Sequence, residues 1–261
     1  MVTGPRSDCL RGKRVDVSRL VSCIIGLLAC TWWSAFGSES VYRGGDVPRV
    51  REIVFPETAS QRPAEHLGAS LVGSAIPRMT PIVIGEGSRV DLACDAFVLR
   101  AGSHSDFELT DSLSLKLSSG ACLVQPRGGV IQLKVTTKRA SFICESAGVF
   151  MIEATTNGGA KVSLLSQGMK VRLDHGNSLN LIPGNLVFVL PSKQTFGPKI
   201  DVDLRLISST SLLINGFKQK LESTAEIKSA SFYQAHRIRS RSNAVIGDAR
   251  TPTNYDVFFM K

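Results

Sequence analysis

The chain has 261 residues, of which 43% are hydrophobic and 20% are charged, and its formal net charge is +9. This apolar fraction is typical of a globular protein, and it excludes a chain that is disordered throughout. The 23 glycines and 11 prolines indicate many turns, and they exclude a coiled coil or a bundle of long helices. A chain of this length suits one domain with flanking segments.

The positive charge is spread along the chain rather than gathered into one patch or stripe. Because nucleic-acid-binding proteins usually concentrate their positive charge, we do not expect nucleic acid as a partner. One local cluster consists of Arg237, Arg239 and Arg241, at every second position. We interpret this cluster as a solvated helix end or tail, with contact to a polyanion or to lipid headgroups as the alternative.

Residues 1–37 have the pattern of an export signal. Basic residues precede an apolar run over residues 20–33, and the small residues that follow suit cleavage between Gly37 and Ser38. Two alternatives stay open, namely a lipoprotein signal in which Cys30 is lipidated and an uncleaved membrane anchor. All three place the rest of the chain outside the cytoplasm, in the periplasm or cell envelope, and the last two add a membrane tether.

Residues 38–80 are predicted to form a linker. They are rich in glycine, proline, serine and charged residues, and they show no sustained hydrophobic period. The pattern allows a short strand or helix inside this segment, for example over residues 51–55.

From residue 81 to residue 200, short apolar or alternating runs are separated by turn residues. The run over 169–173 alternates apolar side chains with Lys170 and Arg172, which is the pattern of a strand with one buried face. The continuous apolar run over 186–190 predicts a strand that is covered on both faces. We therefore predict a mainly β fold, a compact antiparallel-rich roll or sandwich of about 10–13 short strands.

The last segment, residues 201–261, is predicted to be a partly helical extension with one or two helices. Asp201 and Asp203 precede apolar residues and suit the cap of a short helix, although such a pair could also hold a metal ion. A second helix is predicted over residues 224–241, where the apolar residues, Tyr233 among them, stand at mixed spacing.

Three of the six cysteines lie in the predicted signal segment, which leaves Cys94, Cys122 and Cys144 for the folded part. An odd number allows at most one disulfide and leaves at least one free thiol. Because all three have apolar neighbours, we interpret them as buried free thiols.

The sequence contains no motif for catalysis, for a cofactor or for a metal ion. Neither H-E-x-x-H nor G-x-S-x-G occurs, and the cysteines lack the spacing of zinc ligands. Catalysis would need His104 or His175 to meet a carboxylate in one pocket. We therefore predict no catalytic residues, no cofactor and no metal site.

Three stretches of the chain carry a family resemblance. They read L-K-L-S-S-G at 115–120, V-S-L-L-S-Q-G-M-K-V at 162–171 followed by L-I-P-G-N-L-V-F-V at 181–189, and F-G-P at 196–198 with S-T-S-L-L-I at 209–214. Over residues 113–216 the chain thereby resembles the FecR-type domain of exported bacterial proteins, in its stand-alone form.

The central segment departs from the FecR pattern. The family has a T-P-x-A stretch that leads to a Gly-Thr pair, whereas residues 137–150 lack both the proline and the pair. Thr137, Ala140, Gly148 and Phe150 match loosely. The resemblance therefore implies the fold, but not an activity that depends on this segment.

In the signalling members of this family, a cytoplasmic N-terminal module binds a sigma factor, and a membrane helix leads to the periplasmic domain. Residues 1–19 are too few to fold such a module. We therefore predict a non-enzymatic envelope protein that binds another envelope protein or a cell-surface polymer through sheet edges and turn tips. The alternatives are a membrane-anchored FecR-type signal transmitter and an enzyme that acts on envelope polymers.

Overall fold

The computed structural model describes residues 47–55, 71–191, 195–237, 243–246 and 257–260. Every described residue belongs to one compact unit, Tyr42–Lys261. The predicted signal segment, with Cys30, Gly37 and Ser38, lies outside the described residues. Among the helices that are described, none has the length and the apolar character that crossing a membrane requires.

The fold is mainly β, as predicted, with a helical segment near its C-terminus. In chain order the strands are β1 (Arg49–Val54), β2 (Ile82–Val83), β3 (Arg89–Ala93), β4 (Phe97–Ala101), β5 (Asp106–Asp111), β6 (Ser114–Ser119), β7 (Ala121–Pro126), β8 (Ile131–Thr136), β9 (Ser141–Ser146), β10 (Phe150–Ala154), β11 (Ala160–Leu164), β12 (Met169–Leu173), β13 (Ser178–Leu181), β14 (Asn185–Leu190), β15 (Thr195–Phe196), β16 (Ile200–Asp201), β17 (Asn243–Ile246) and β18 (Val257–Met260). The helices are α1 (Leu204–Thr210), α2 (Leu212–Asn215) and α3 (Thr224–Arg237).

Two large sheets contain most of these strands. One has nine strands, in the order β1-β3-β4-β7-β10-β11-β14-β15, with β16 also pairing with β14. The other has seven strands, in the order β13-β12-β9-β8-β6-β5-β2, and its β6 and β8 pair in parallel. The prediction of 10–13 strands undercounts because β2, β15 and β16 have two residues each, which is too short for alternation to mark them.

Strand β1 lies inside the segment that was predicted to be a linker. It pairs with β3, and the backbone N–H of Val50 donates to the carbonyl oxygen of Ser74 at 3.1 Å. Gly73 in turn donates to the carbonyl oxygen of Val50 at 2.8 Å. The folded domain thus includes residues before position 81, and the short element expected near residues 51–55 is a strand.

The two large sheets share one apolar core. The run over 169–173 shows the predicted alternation, since its apolar residues are buried and Lys170 and Arg172 are exposed. Side chains from both sheets meet in a single buried cluster, for example Phe97 of the nine-stranded sheet and Phe142 of the seven-stranded sheet. The domain is therefore a sandwich of two sheets whose inner faces form its centre.

The three helices cover part of the outer face of the nine-stranded sheet. A second apolar cluster joins this sheet to the helices, and it consists of Leu123, Val149, Leu165, Leu204, Leu213, Ile214, Leu221 and Ile227. Strand β14 is also covered on both faces, as its continuous apolar run predicts. Its Val187 belongs to the central core, whereas its Phe188 packs on the other face with Ile200.

The cysteines of the folded part are free and buried, as predicted. Burial raises the pKa of the Cys94 and Cys122 thiols to about 12, and it raises the pKa of Cys144 as well. The thiolate is the reactive form of cysteine, so these side chains should be inert in the native protein.

Alkylation of the chain Ser38–Lys261, which retains the whole described unit, tests this expectation. We expect the native protein to resist iodoacetamide at mildly alkaline pH. After unfolding in guanidinium chloride it should gain three carbamidomethyl groups by intact mass, one for each buried cysteine. Rapid modification of the native protein would contradict the burial of these thiols.

Candidate functional site

Helix α1 begins at an acidic cap. The Asp203 Oδ1 accepts hydrogen bonds from the backbone N–H groups of Arg205 at 2.9 Å and Leu206 at 3.3 Å, which confirms the predicted capping role. Asp201 instead lies 3.3 Å from Arg237 Nη2 at the end of α3. Asp203 therefore caps α1, and Asp201 helps to attach the end of α3.

A buried glutamine attaches α3 to the start of α1. The Gln234 Nε2 donates to the carbonyl oxygen of Val202 at 2.7 Å, and its Oε1 accepts from the backbone N–H of Leu204 at 3.0 Å. Gly184 leaves the room for this side chain, since a Cβ at that position would lie 2.1 Å from Gln234 Nε2. The turn before β14 therefore determines where α3 can pack.

Replacing Gly184 by alanine tests this contact. Gly184 has a φ of +86°, so the new residue is strained and also displaces a hydrogen-bonded amide. Gly176→Ala is the matched control, because Gly176 has a φ of +89° and nothing within 4 Å. In urea denaturation we expect Gly184→Ala to cost about 1–3 kcal/mol more than the control, which is the range for a lost buried hydrogen bond. Equal losses in the two variants would contradict the attachment.

A buried ion pair holds α2 and the segment that follows it. Asp91 on β3 and Arg100 on β4 have fully buried side chains, and the Arg100 Nε donates to Asp91 Oδ2 at 3.1 Å. Arg100 also donates to the backbone carbonyl oxygens of Leu213 at 3.3 Å and Ile214 at 3.1 Å, and to that of Gln219. One guanidinium group thus joins the sheet to three carbonyl groups of the helical segment.

The surroundings of this ion pair are apolar. The Phe217 ring lies over the guanidinium group of Arg100, with 4.4 Å between the ring centroid and the Arg100 Cζ. Burial raises the pKa of Asp91 and lowers that of Arg100, because the loss of hydration outweighs the attraction between the two charges. The ion pair therefore fixes the position of the helical segment on the sheet, and the loss of either charged partner should destabilise this packing.

An open groove of about 540 Å³ runs along α3, between this helix and two turns of the sandwich. Its lining includes Ser166 and Gln167 from one turn and Pro183 from the other. The helix contributes residues at helical spacing from Ala225 to Arg237.

The groove carries opposite charges at its two ends. Glu226, in the first turn of α3, accepts a hydrogen bond from Gln167 Nε2 at 3.0 Å. Arg237, the last residue of α3, donates to the carbonyl oxygen of Pro183 at 3.3 Å. With a helical rise of ~1.5 Å per residue, the two residues stand roughly 16 Å apart along the helix axis.

Two aromatic side chains of α3 are exposed beside this groove. Phe232 is 62% exposed and Tyr233, which lines the groove, is 72% exposed. Their ring centroids are 6.1 Å apart, and the His236 ring lies 4.5 Å from that of Phe232. The helix thus turns Ile227 toward the sheet and presents an aromatic patch, Phe232 and Tyr233, to solvent.

The other residues that the sequence singled out lie apart from this groove or outside the described residues. Arg237 belongs to the groove, whereas Arg239 and Arg241 are not described. His104 and His175 are both exposed, in the turns that follow β4 and β12, and within the described ranges neither forms an ion pair with a carboxylate.

The described residues also contain no group of three or more His, Cys, Asp or Glu side chains placed to hold a metal ion. The groove itself is not predictable from local sequence patterns, since its two turns lie far from α3 in the chain.

No protein-family model matches the chain, and no curated protein matches it. The chain is similar to two crystal structures, each described as a "putative anti-sigma factor" from Parabacteroides distasonis ATCC 8503. The first has 13% identity and a TM-score of 0.37, and the match covers 47% of this chain and 60% of that one. The second has 11% identity and a TM-score of 0.39, with 70% of this chain and 98% of that one covered. The chain thus spans about three fifths of the first neighbour and nearly all of the second.

Proposed function

We propose that this chain is a FecR-like, non-enzymatic exported protein of the bacterial cell envelope, and that it binds a segment of a partner protein in the groove along α3. The observation that carries the proposal is the aromatic patch formed by Phe232 and Tyr233 at the border of this groove. Exposed aromatic side chains are enriched at protein interfaces, where they supply large contact areas at a low cost in entropy.

The size of the groove suits a short extended peptide. Its volume of about 540 Å³ lies within the range of binding pockets, roughly 300–1,000 Å³. A peptide of about five residues in extended form spans roughly 16 Å, which matches the spacing of Glu226 and Arg237 along the helix axis. A cationic group of the partner would lie near Glu226, whereas Arg237 is already paired with Asp201 at 3.3 Å.

Photo-crosslinking in the native host tests this proposal. A crosslinking amino acid in place of Tyr233 should capture one discrete protein, while the same amino acid in place of Val130 should not. Val130 is 65% exposed, lies in the turn between β7 and β8 and does not line the groove.

A charge reversal tests whether the capture depends on the groove. Capture at position 233 should be lost in the Glu226→Lys variant and kept in the Glu222→Lys variant. Glu222 is the matched control because it is exposed, pairs with Arg127 at 3.8 Å and does not line the groove. Equal capture in both variants, or adducts that contain polysaccharide and no peptide, would contradict protein binding in the groove.

Membrane-anchored signal transmission is the second candidate function. The uncharged run that ends the predicted signal segment is long enough to stay in the membrane, and this is the feature that favours it. The two candidates differ in the mature N-terminus, because only the second requires residues 1–37 to be retained.

A further inference from the structure

Strand β13 forms an edge of the seven-stranded sheet. Among the described residues it pairs with β12 alone, in antiparallel register from Met169 opposite Leu181 to Arg172 opposite Ser178. Within the described part of the chain, its other side is therefore an open edge.

The hydrogen-bonding pattern shows which backbone groups lie on the open side. The backbone N–H of Leu173 donates to the carbonyl oxygen of Asn177 at 2.8 Å, so these two residues form a hydrogen-bonded pair. Such pairs alternate along an antiparallel ladder, so Leu179 and Leu181 also bond to β12. The N–H and C=O groups of Ser178 and Asn180 then point away from the sheet.

The other edges of the two large sheets are protected, whereas β13 is not. Edge strand β1 carries Arg49, Arg51 and Glu52, has a register shift and bonds to residues 73–74. The other edges, β2, β15 and β16, have two residues each. β13 has four residues without a charge, a proline or a register shift, so it lacks the usual devices that prevent strand pairing.

Side chains around β13 define the chemistry of a strand that could pair with it. Lys170 and Arg172 are exposed on the outer face of β12, in register with Asn180 and Ser178. Leu179 points to the opposite face and is partly buried. The preferred partner strand would therefore carry acidic side chains on its outer face, near Lys170 and Arg172, and an apolar side chain on the opposite face beside Leu179.

We propose that β13 is a docking edge that accepts an extended acidic peptide strand of a partner protein, by strand addition to the seven-stranded sheet. Main-chain hydrogen bonds to Ser178 and Asn180 supply affinity, and Lys170 and Arg172 supply the preference for acidic residues. This inference depends on β12 and β13 and holds whether or not the α3 groove binds a peptide.

The test uses the chain Ser38–Lys261 and a fluorescent synthetic hexapeptide, acetyl-Thr-Glu-Val-Glu-Val-Thr-amide, followed by fluorescence polarisation. Asn180→Pro removes the outward N–H at an edge position where proline is tolerated. We expect it to weaken binding by roughly tenfold, as for the loss of one well-made hydrogen bond. Asn180→Ala is the matched control, because it keeps the N–H, and it should bind like the wild type.

A second variant tests the charges without touching the backbone. Arg172→Glu, on an exposed face, should also weaken binding of the acidic hexapeptide and should strengthen binding of the same peptide with lysine in place of glutamate. The proposal is overturned if the wild type does not bind the peptide, if Asn180→Pro and Asn180→Ala bind alike, or if charge has no effect. Sedimentation that shows a dimer lost only in Asn180→Pro would assign the edge to a second copy of the chain instead, and would overturn it too.

Discussion

Replacing Gly148 by alanine should unfold the domain or destabilise it by about 4 kcal/mol or more, which is the exceptional range for a single substitution. A Cβ at this position would lie 1.8 Å from the carbonyl oxygen of Ser166 and 2.6 Å from its carbonyl carbon. These are backbone atoms, so no side-chain rotation relieves the overlap. A hydrogen bond also joins the two segments around Gly148 and Ser166, since the Val149 N–H donates to Ser166 Oγ at 2.9 Å.

Gly168→Ala is the matched control for this substitution. Gly168 lies two residues after Ser166, has an ordinary φ and has nothing within 4 Å of a built Cβ. In urea denaturation of the chain Ser38–Lys261, the control should stay within about 0.5 kcal/mol of the wild type. If Gly148→Ala were equally stable, the crossing of residues 146–149 over residues 165–168 would not be as described. Because Ser166 and Gln167 line the groove, this crossing also supports the candidate site.

Replacing Arg100 by methionine should cost about 3–5 kcal/mol, the range for a buried ion pair that loses one partner. The substitution leaves the carboxylate of Asp91 buried without its main partner, and it removes the donors to the carbonyl oxygens of Leu213 and Ile214. Lys116→Met is the control, since the Lys116–Glu108 pair is more exposed and its loss should cost less than about 1 kcal/mol.

Two further measurements separate the lost ion pair from lost packing. The double variant Asp91→Val/Arg100→Met should be more stable than Arg100→Met alone, because it removes the unpaired charge.

The stability deficit of Arg100→Met should also depend on pH. In the wild type the pKa of Asp91 is already raised above its ordinary value of 3.8, and it rises further when the positive charge of Arg100 is removed. Between the unfolded-state pKa and this higher folded-state pKa, the folded protein therefore binds more protons than the unfolded protein. The variant therefore loses stability as the pH rises from the unfolded-state pKa to the folded-state pKa of Asp91. Its loss of stability relative to the wild type should be smaller in acid. A deficit that is independent of pH and equal to that of Lys116→Met would contradict the buried pair.

The sequence predicts those strands whose apolar residues follow a regular local pattern. The alternation over residues 169–173 identifies β12 and its buried face, and the continuous run over residues 186–190 identifies a strand covered on both sides. Asp203 is recognisable as a helix cap because capping depends on residues two and three positions away.

Features that depend on distant partners are not predictable in this way. Strand β1 has no sustained period, and it exists because β3 and residues 73–74 supply its hydrogen bonds. On α3, hydropathy favours Tyr233 as the buried residue, yet Gln234 is buried because Gly184 leaves room for it. The groove and its aromatic patch follow from this packing, so the sequence alone does not reveal them.

The mature N-terminus tests most directly whether this protein functions as an exported binding protein. The full chain is expressed in a bacterium with two membranes, the cells are fractionated, and the N-terminal peptide is identified by mass spectrometry. We predict a periplasmic or envelope protein that begins at Ser38, or at a lipidated Cys30, with the groove along α3 available to partners outside the cytoplasm. An intact Met1 in the inner membrane would contradict this account and would favour membrane-anchored signal transmission.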